Sequence, residues 1–533
     1  MRPTWAASRC SWSLLLMLTA CGGPDSNFDL DFTPVTAQNQ SPFENVVSME
    51  LVLKEGAEEI DRFEMGAATS GDNPDVGKLP PLADTIISIE GLNQNGDVVA
   101  IGHSSPLTLT EGEQAYDMLF TNTDAFAWLN DNTDAYWGLA GASDGRGNYF
   151  VFGGIADDFY GEMSDQVMRL QLAPAGSLVF EPVATLPEHS TLELSGGRAR
   201  SHSSATLLTG AHADAGKILV VGGWDSLGTF AAVTYQTMLF DPETLTFEEI
   251  DNSDALVYSR AEHGALVMSS GDVLIFGGST TNQNGQIELY DTASRTFSVT
   301  EGSPTHDAWL AAGAPMGTNG ALVCGGVALD LSPNTYGSGT SIDNCYTIDI
   351  AGNANVASAM PNFLVMPAMA ELPDGKVLLT GGATPPTNPF QALSTPGGAT
   401  ADTLQATNAS WIYDPDTNAW TATGSMSVRR GGHSATPLAD GRVLIVGGFS
   451  SITDLYFAPD DGIACAEVYD QRDGTFTPLD AGCGIGSTSG ALPGQTVQPL
   501  VISDPIYGTL VTSGLDSDLD AVSKAALFTA RPR

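Results

Sequence analysis

The segment Val443-Leu444-Ile445-Val446-Gly447-Gly448 is a short apolar strand that ends in a glycine pair. Five further segments share its pattern, and neighbouring pairs are 48 to 69 residues apart. They are YFVFGG at 149–154, ILVVGG at 218–223, VLIFGG at 273–278, ALVCGG at 321–326 and VLLTGG at 377–382. With 59 Gly and only 16% charged residues, the chain favours short strands and turns over helices. Recurrence at this period predicts a repeat architecture.

A second signature follows the glycine pair in four of the units. An Asp that can hold a turn with its side chain precedes an aromatic residue by six positions. The pairs are Asp241 with Phe247, Asp291 with Phe297, Asp414 with Trp420, and Asp470 with Phe476. The fourth unit has Asp349 but lacks the aromatic residue, and the first unit lacks the Asp. The aromatic side chains are expected to pack between neighbouring sheets.

These elements resemble the kelch repeat, which folds as one four-stranded blade of a β-propeller. The resemblance covers about residues 136–530. A degraded seventh unit contains Ser513-Gly514 in place of the glycine pair, and the chain ends before a fourth strand. Because a propeller must close to remove its edges, the segment 125–129 is expected to supply that strand. We therefore expect an all-β fold with a seven-bladed propeller at 122–533, with six blades as the alternative.

The chain begins with a basic and then apolar segment, residues 1–20, that is typical of a secretory signal. Leu18-Thr19-Ala20-Cys21 resembles the lipobox of bacterial lipoproteins, which implies cleavage before Cys21 and lipidation of its thiol and new amine. An ordinary signal with a Cys by chance is the alternative. Gly22 at the second mature position implies the outer membrane, facing the periplasm or the cell surface. Stable anchoring would then come from several acyl chains on one residue.

Two segments separate this signal from the repeats. Residues 21–42 are polar and rich in Asp and Asn, so we expect a flexible tether. Residues 43–121 alternate apolar and polar positions, with a hairpin turn at 93–97, and predict a small immunoglobulin-like β-sandwich. This sandwich carries no catalytic cluster and is expected to act as a spacer.

Charge and cysteine content limit the possible partners. The net charge of −43 argues against nucleic acid, because no basic surface could release its counterions. Apart from Cys10 and Cys21, four cysteines remain, and three connectivities are possible: Cys324, Cys345, Cys465 and Cys483. The local pairs Cys324–Cys345 and Cys465–Cys483 are the simplest in an oxidising compartment. A metal site is the alternative, but no C-x-x-C spacing supports it, and neither metal nor cofactor is predicted.

The alternating strand directions place two kinds of connection on one face of the propeller: the second-to-third-strand inserts and the links into the next first strand. The longest inserts are 327–344, 383–409 and 449–464. Alignment on the glycine pairs puts Arg200, Arg260 and Arg430 where first strands begin, with Tyr136, Ala308 and Leu364 in other units. In kelch folds this strand lines the central channel. Three arginines there, with Tyr136, predict a pocket that prefers anions such as a sugar acid. The alternative is that these arginines pair with backbone carbonyls or nearby acids.

The histidines and one serine motif also have both a structural and a functional interpretation. His263 and His433 share one repeat position, which indicates a packing role, whereas His202 stands one position earlier relative to its Arg. The G-x-S-x-G match at 141–145 is interpreted as a hairpin loop, because a nucleophile elbow would need a helix after it.

The sequence thus predicts a lipid-anchored, monomeric, non-enzymatic protein that binds a protein or glycan on one propeller face. The alternative is an exported carbohydrate-active or galactose-oxidase-like enzyme. That family uses a copper site with a Cys–Tyr crosslink, and no residue here matches that pattern one-to-one.

Overall fold

The structure is a computed structural model. It describes residues 18–19, 27–37, 39–55, 58–66, 85–104, 112–129, 135–157, 161–172, 178–188, 198–225, 232–251, 254–280, 286–302, 310–330, 338–384, 404–452, 462–480, 483, 492, 494–516, 520–522 and 524–532. Over these ranges the fold is all-β. No helix in them is long and apolar enough to cross a membrane. Cys21 lies outside the described residues, so its lipidation stays a prediction.

The N-terminal strands join in one sheet. They are β1 (Leu18–Thr19), β2 (Asn27–Thr36), β3 (Ser48–Glu55), β4 (Glu58–Gly66), β5 (Ile86–Leu92), β6 (Val98–His103) and β7 (Gly112–Asn122). Their order is β1-β2-β7-β6-β5-β3-β4, and β2 runs parallel to β7. A second facing sheet, which an immunoglobulin-like sandwich requires, is not among the described residues. Strand β2 also lies inside the segment expected to be a flexible tether. Its alternating Phe28, Leu30 and Phe32 are a strand pattern that the polar composition of the segment obscured.

The rest of the described chain is built from small antiparallel sheets of four strands, as in a propeller. Seven such sheets are present, numbered here in chain order. The first three are β10 (Ala140–Ser143), β11 (Tyr149–Phe152), β13 (Gln166–Leu172), β14 (Leu178–Thr185); β16 (Ser204–Leu207), β17 (Ile218–Val221), β20 (Thr237–Asp241), β21 (Thr246–Glu249); and β23 (Gly264–Val267), β24 (Val273–Phe276), β26 (Glu288–Asp291), β27 (Thr296–Val299). The next three are β28 (Ala312–Pro315), β29 (Ala321–Cys324), β32 (Cys345–Ile348), β33 (Ala354–Ala357); β34 (Ala368–Glu371), β35 (Val377–Thr380), β38 (Ser410–Asp414), β39 (Ala419–Ala422); and β40 (Ser434–Pro437), β41 (Val443–Val446), β43 (Ala466–Asp470), β44 (Thr475–Pro478).

The seventh sheet joins the two ends of this region. Its strands are β45 (Leu500–Asp504), β46 (Gly508–Thr512), β47 (Ala526–Thr529) and β8 (Ala125–Trp128). Strand β8 pairs antiparallel with β47, with Phe126 opposite Phe528. The predicted closing segment 125–129 therefore does complete the last sheet. The first strands of successive sheets also contact one another, and that of the seventh contacts that of the first.

Short ladders lie beyond the glycine pairs. Their strands are β9 (Tyr136–Trp137), β12 (Ile155–Ala156), β15 (Arg200–Ser201), β18 (Trp224–Asp225), β19 (Ala232–Val233), β22 (Arg260–Ala261), β25 (Ser279–Thr280), β30 (Val327–Asp330), β31 (Ser338–Ser341), β36 (Ala383–Thr384), β37 (Leu404–Ala406) and β42 (Ser451–Ile452). They connect the inserts to the segments that lead into the first strands, as in β15 with β18. The inserts and these segments therefore share one face of the sheets.

The glycine pair marks the junction between neighbouring sheets. The first glycine has a left-handed backbone, with φ of +61° at Gly222, and a Cβ there would overlap the carbonyl oxygen of Arg260 in the next sheet. The second glycine, Gly223, donates its N–H to that same carbonyl at 2.8 Å. Only glycine combines this backbone conformation with so close an approach. The pair is therefore a device that joins one sheet to the next.

The Asp-to-aromatic signature also behaves as expected. The Asp291 carboxylate accepts hydrogen bonds from the backbone N–H groups of Ala293 and Ser294 and so holds the turn. Across the strand pair, Phe297 packs on Tyr290 with ring centroids 5.0 Å apart. Both rings share a buried cluster with Leu219 of the preceding sheet. The aromatic residue thus packs between sheets.

Both disulfides follow the local pairing. Cys324 is bonded to Cys345, and Cys465 is bonded to Cys483. The first bond joins the ends of β29 and β32, whose residues Cys324 and Cys345 are paired in the ladder. The connectivity that the spacing favoured is the one present.

Candidate functional site: an axial cavity

A cavity of about 600 Å³ opens where the first strands begin. All seven sheets contribute to its wall, which is mostly apolar. Its lining includes Trp137, Leu139, Met366, Phe449, Leu500 and Leu515, with His202, Glu262 and Gln498 as larger polar groups. This volume lies in the range of pockets that hold a small molecule or one large side chain.

One residue from each sheet faces this cavity with a left-handed backbone. We call these seven the ring residues; each stands two positions before a first strand. They are Gly138, His202, Glu262, Leu310, Met366, Gly432 and Gln498, with φ between +51° and +61°. Five of them carry side chains, although left-handed backbone is uncommon outside glycine. Such strain tends to concentrate at functional sites.

Main-chain hydrogen bonds explain why this conformation recurs. The N–H of His202 donates to the carbonyl of Gly138 at 2.7 Å, and the N–H of Glu262 donates to the carbonyl of His202 at 3.0 Å. On the other side, Gly432 donates to Met366 at 3.0 Å, and Gln498 donates to Gly432 at 2.9 Å. These bonds run from sheet to sheet around the cavity, so the wall is built from rigid backbone.

The arginines predicted to line the pocket are buried beside it. Arg260 and Arg430 are 0% exposed and Arg200 is 2% exposed, and none of the three lines the cavity. Arg260 donates to Glu288 at 2.6 Å, and Arg430 donates to Glu467 at 3.0 Å. Arg200 lies 3.2 Å from Asp225 and also bonds the Gln236 side chain. Each guanidinium is thus paired with a carboxylate from the same repeat.

Backbone carbonyls hold the same guanidinium groups. Arg260 donates to the carbonyls of Gly277 and Gln286, and Arg430 donates to those of Gly447 and Cys465. Burial lowers the pKa of Arg430 and raises that of Glu288, and in each case the ionic partner opposes the shift. The geometry favours the structural alternative for these arginines over an anion site. The residues that do face the cavity come two positions later.

Tyr136 belongs to the junction that closes the sheets. It is half-buried in β9, opposite Ala156. Its carbonyl accepts a hydrogen bond from the hydroxyl of Ser513 at 2.6 Å. Ser513 occupies the position of the first glycine of a pair and has a φ of +63°. Tyr136 does not line the cavity; its neighbour Trp137 does.

The histidines fall into two groups, as their spacing from the preceding arginines indicated. The Nε2 atom of His263 shares a hydrogen bond with Ser204, and that of His433 shares one with Thr380, each at 2.9 Å. Both partners belong to the preceding sheet, so these histidines join sheets. Burial lowers the pKa of both to about 3, which keeps them neutral.

His202 instead stands at the cavity wall as a ring residue. Its ring packs edge-on against Trp137, with centroids 4.6 Å apart. Burial lowers its pKa, and the nearby Glu262 partly opposes this. The Glu262 carboxylate also accepts a hydrogen bond from the indole of Trp224 at 3.5 Å. A neutral imidazole, an indole and a carboxylate therefore share one side of the cavity.

Metal binding and covalent catalysis each require particular side chains to be grouped together. Within the described ranges, no three His, Cys, Asp or Glu side chains are grouped so that they could hold a metal ion. The four cysteines downstream of Cys21 are in disulfides. Ser143 of the G-x-S-x-G match ends strand β10 and bonds Asp504, at the opposite end of the sheets from the cavity. It is part of a hairpin turn, as interpreted from the sequence.

No protein-family model matches this chain, and no curated protein matches it. Among solved structures, one described as "Structure of YjhT" is similar, with 15% identity and a TM-score of 0.44. The match covers 66% of this chain and 99% of that one.

Proposed function

We propose that this chain is a lipid-anchored binding protein of the bacterial envelope, in which a seven-bladed kelch-type propeller presents the axial cavity to a protein or glycan. The observation that carries the proposal is the cavity wall itself. Backbone hydrogen bonds join six of the seven ring residues in two runs of three, and five of the seven have a side chain on a left-handed backbone, around a space of about 600 Å³. Rigid support under variable loops is the usual design of a binding site.

The placement of the N-terminal sheet supports the same assignment. It meets the propeller at the tight turns, the end away from the cavity. Tyr507, in the turn between β45 and β46, donates its hydroxyl to the carbonyl of Ser104. Arg442, in the turn between β40 and β41, pairs with Asp124 just after β7. The described part of the N-terminal sheet therefore meets the end of the sheets opposite the cavity, and a spacer between membrane and propeller would point the cavity outwards.

The seven-bladed interpretation rests on the seven four-stranded sheets and on the contact between the first and last of them. A six-bladed ring would leave one of these sheets outside. The two disulfides fit export to an oxidising compartment. Anchoring is tested by fractionation: the Cys21→Ala variant is expected to leave the outer membrane for the periplasm or medium. Unchanged membrane association of that variant would contradict lipidation.

Binding is tested with a glycan array and a panel of purified envelope proteins. The variant Ser434→Trp places a large ring in the cavity, which Ser434 lines. It is expected to abolish binding of the wild-type ligand. Val356→Trp is the matched control, because Val356 is 78% exposed on an outer strand. Equal binding by both variants would place the ligand elsewhere. Stoichiometric copper in the purified protein would instead support the oxidase alternative.

A further inference from the structure

The sequence predicted a cavity lined by arginines and therefore positively charged. The charged residue in the described lining is an acid instead. Glu262 is the acidic member of the described lining, and that lining contains neither Lys nor Arg. The nearest arginine in sequence, Arg260, points away into its pair with Glu288. His202, His263 and His433 have pKa values lowered by burial and are neutral at pH 7. The cavity therefore contributes one negative charge among uncharged groups.

The inserts between second and third strands are poor in basic residues as well. The seven inserts 155–165, 224–235, 279–286, 327–344, 383–409, 449–464 and 515–525 contain a single basic residue, Lys524. Acidic residues occur in six of them, for example Asp157 and Glu162 in the first and Asp516 and Asp520 in the last.

Basic residues also occur in the tight turns at the opposite end of the sheets, together with acids. Its basic residues are each paired: Arg146 with Glu243, Lys217 with Asp214, Arg295 with Glu248, Lys376 with Asp414, and Arg442 with Asp440. Charges of one sign around a cleft focus the field and attract ligands of the other sign. Exposed cations also occur in the segments that lead into the first strands, at Arg198 and Arg429, so the absence of Lys and Arg holds for the described cavity lining and not for the whole face.

We propose that the axial cavity binds an organic cation, an alkylammonium or guanidinium group on an apolar stem, with Glu262 as its counterion. The inference rests on the proposed binding function and names its ligand class. Met366, Leu310 and Phe449 offer apolar surface to the stem. Trp137 and His202 add ring surface beside the carboxylate. A carboxylate in a partly dehydrated cavity pairs with a cation more strongly than it would in water.

The geometry of Glu262 supports this role. Its backbone N–H donates to the carbonyl of His202 at 3.0 Å, its φ is +58°, and the residue lines the cavity. A similar φ recurs at all seven ring residues, so the fold fixes this position on the cavity wall. The same chemistry could come from a free amine or from a Lys or Arg side chain of a partner protein.

The test is a calorimetric titration with matched probes. Cadaverine and agmatine represent free cations, a short Gly/Ser peptide with one central Lys represents a protein side chain, and glutarate represents anions. We expect the cations to bind and glutarate not to bind. Glu262→Gln should weaken cation binding by about tenfold or more, the loss of one charge-assisted contact. Tighter binding of the peptide than of cadaverine would identify a protein ligand; the reverse would identify a small one.

Two further variants keep the result interpretable. Glu162→Gln removes an exposed acid of the same face outside the cavity and should leave cation binding unchanged. Glu262→Lys should lose the cations and gain glutarate. Binding of glutarate by the wild type, or cation binding that survives in Glu262→Gln, would overturn the inference, as would no saturable binding of any cation at millimolar concentration. A ligand from the array that Ser434→Trp blocks and Glu262→Gln does not would leave the binding function intact while rejecting this ligand class.

Discussion

The junction between the fifth and sixth sheets and the junction between the seventh and first sheets join the same parts with different groups. In the former, Gly382 donates its N–H to the carbonyl of Arg430, whose side chain continues to Glu467. In the latter, the hydroxyl of Ser513 donates to the carbonyl of Tyr136. Tyr136 occupies the position that Arg430 occupies in its own repeat, two residues before the ring residue. The first junction is made within a continuous chain, whereas the second brings together residues far apart in sequence. We expect the closing junction to be the weaker one.

The largest effect should come from breaking the ion pair of the strong junction. Glu467→Ala leaves the fully buried guanidinium of Arg430 without its carboxylate, which should cost about 3–5 kcal/mol in the free energy of unfolding. Denaturant titration measures this loss. The double variant Arg430→Met with Glu467→Leu is the control. It should recover most of the stability, since the fifth sheet has Leu364 and Trp411 at the corresponding positions. A double variant as unstable as the single one would contradict this account.

The next effect concerns the glycine of the same junction. Gly381→Ala adds a Cβ that overlaps the carbonyl oxygen of Arg430, at a backbone φ of +56°. Strain and overpacking together should cost about 2–4 kcal/mol. Gly494→Ala is the matched control, because a Cβ there meets no atom within 4 Å. Thermal and denaturant unfolding of the two variants should differ clearly; equal stability would mean that the junction can relax.

The third effect is a dependence on pH. His433 bonds Thr380 across the strong junction, and burial lowers its pKa to about 3, well below that of an unfolded chain. The unfolded state therefore takes up the proton first, and stability present at pH 7 is lost as the pH falls below about 6.5 towards 3. The loss should reach about 1.4 kcal/mol per pH unit for each such histidine.

This dependence can be separated from carboxylate titration. Between pH 7 and 5.5 most carboxylates stay ionised, so the slope there reports buried histidines. The double variant His263→Gln with His433→Gln should reduce this slope without abolishing it, because burial also lowers the pKa of His103 and His202. Either single variant should remove about half of what the double removes, because His263 has the same lowered pKa as His433. A slope that is unchanged in the double variant would assign the pH dependence to other groups.

The closing junction also shows what the sequence could and could not predict. The sequence was enough to predict which strands complete the last sheet, because sheet edges need partners. The signals were the degraded glycine pair Ser513-Gly514 and the apolar segment 125–129. The arginines do occupy equivalent positions, but these lie four residues before β16, β23 and β40, and the direction of their side chains depends on partners such as Glu288 that lie elsewhere in the sequence. Backbone conformation could not be predicted either, because His202, Glu262 and Gln498 are not residue types that favour a left-handed φ. Their common distance before each first strand was the available signal.

The smallest effect should come from the closing junction itself. Ser513→Ala removes one hydroxyl bond to Tyr136 and should cost about 1 kcal/mol. Ser513→Gly restores the glycine pair of the other junctions: it loses the same bond but relieves the backbone strain at a φ of +63°, so the net change should be near zero. Hydrogen exchange of β9 and β46 is the sensitive measurement, because Tyr136 lies in β9 and Ser513 directly follows β46. Faster exchange there in Ser513→Ala than in Ser513→Gly would confirm a weak closing junction, whereas exchange that first accelerates between the fifth and sixth sheets would reverse the ranking of the two junctions.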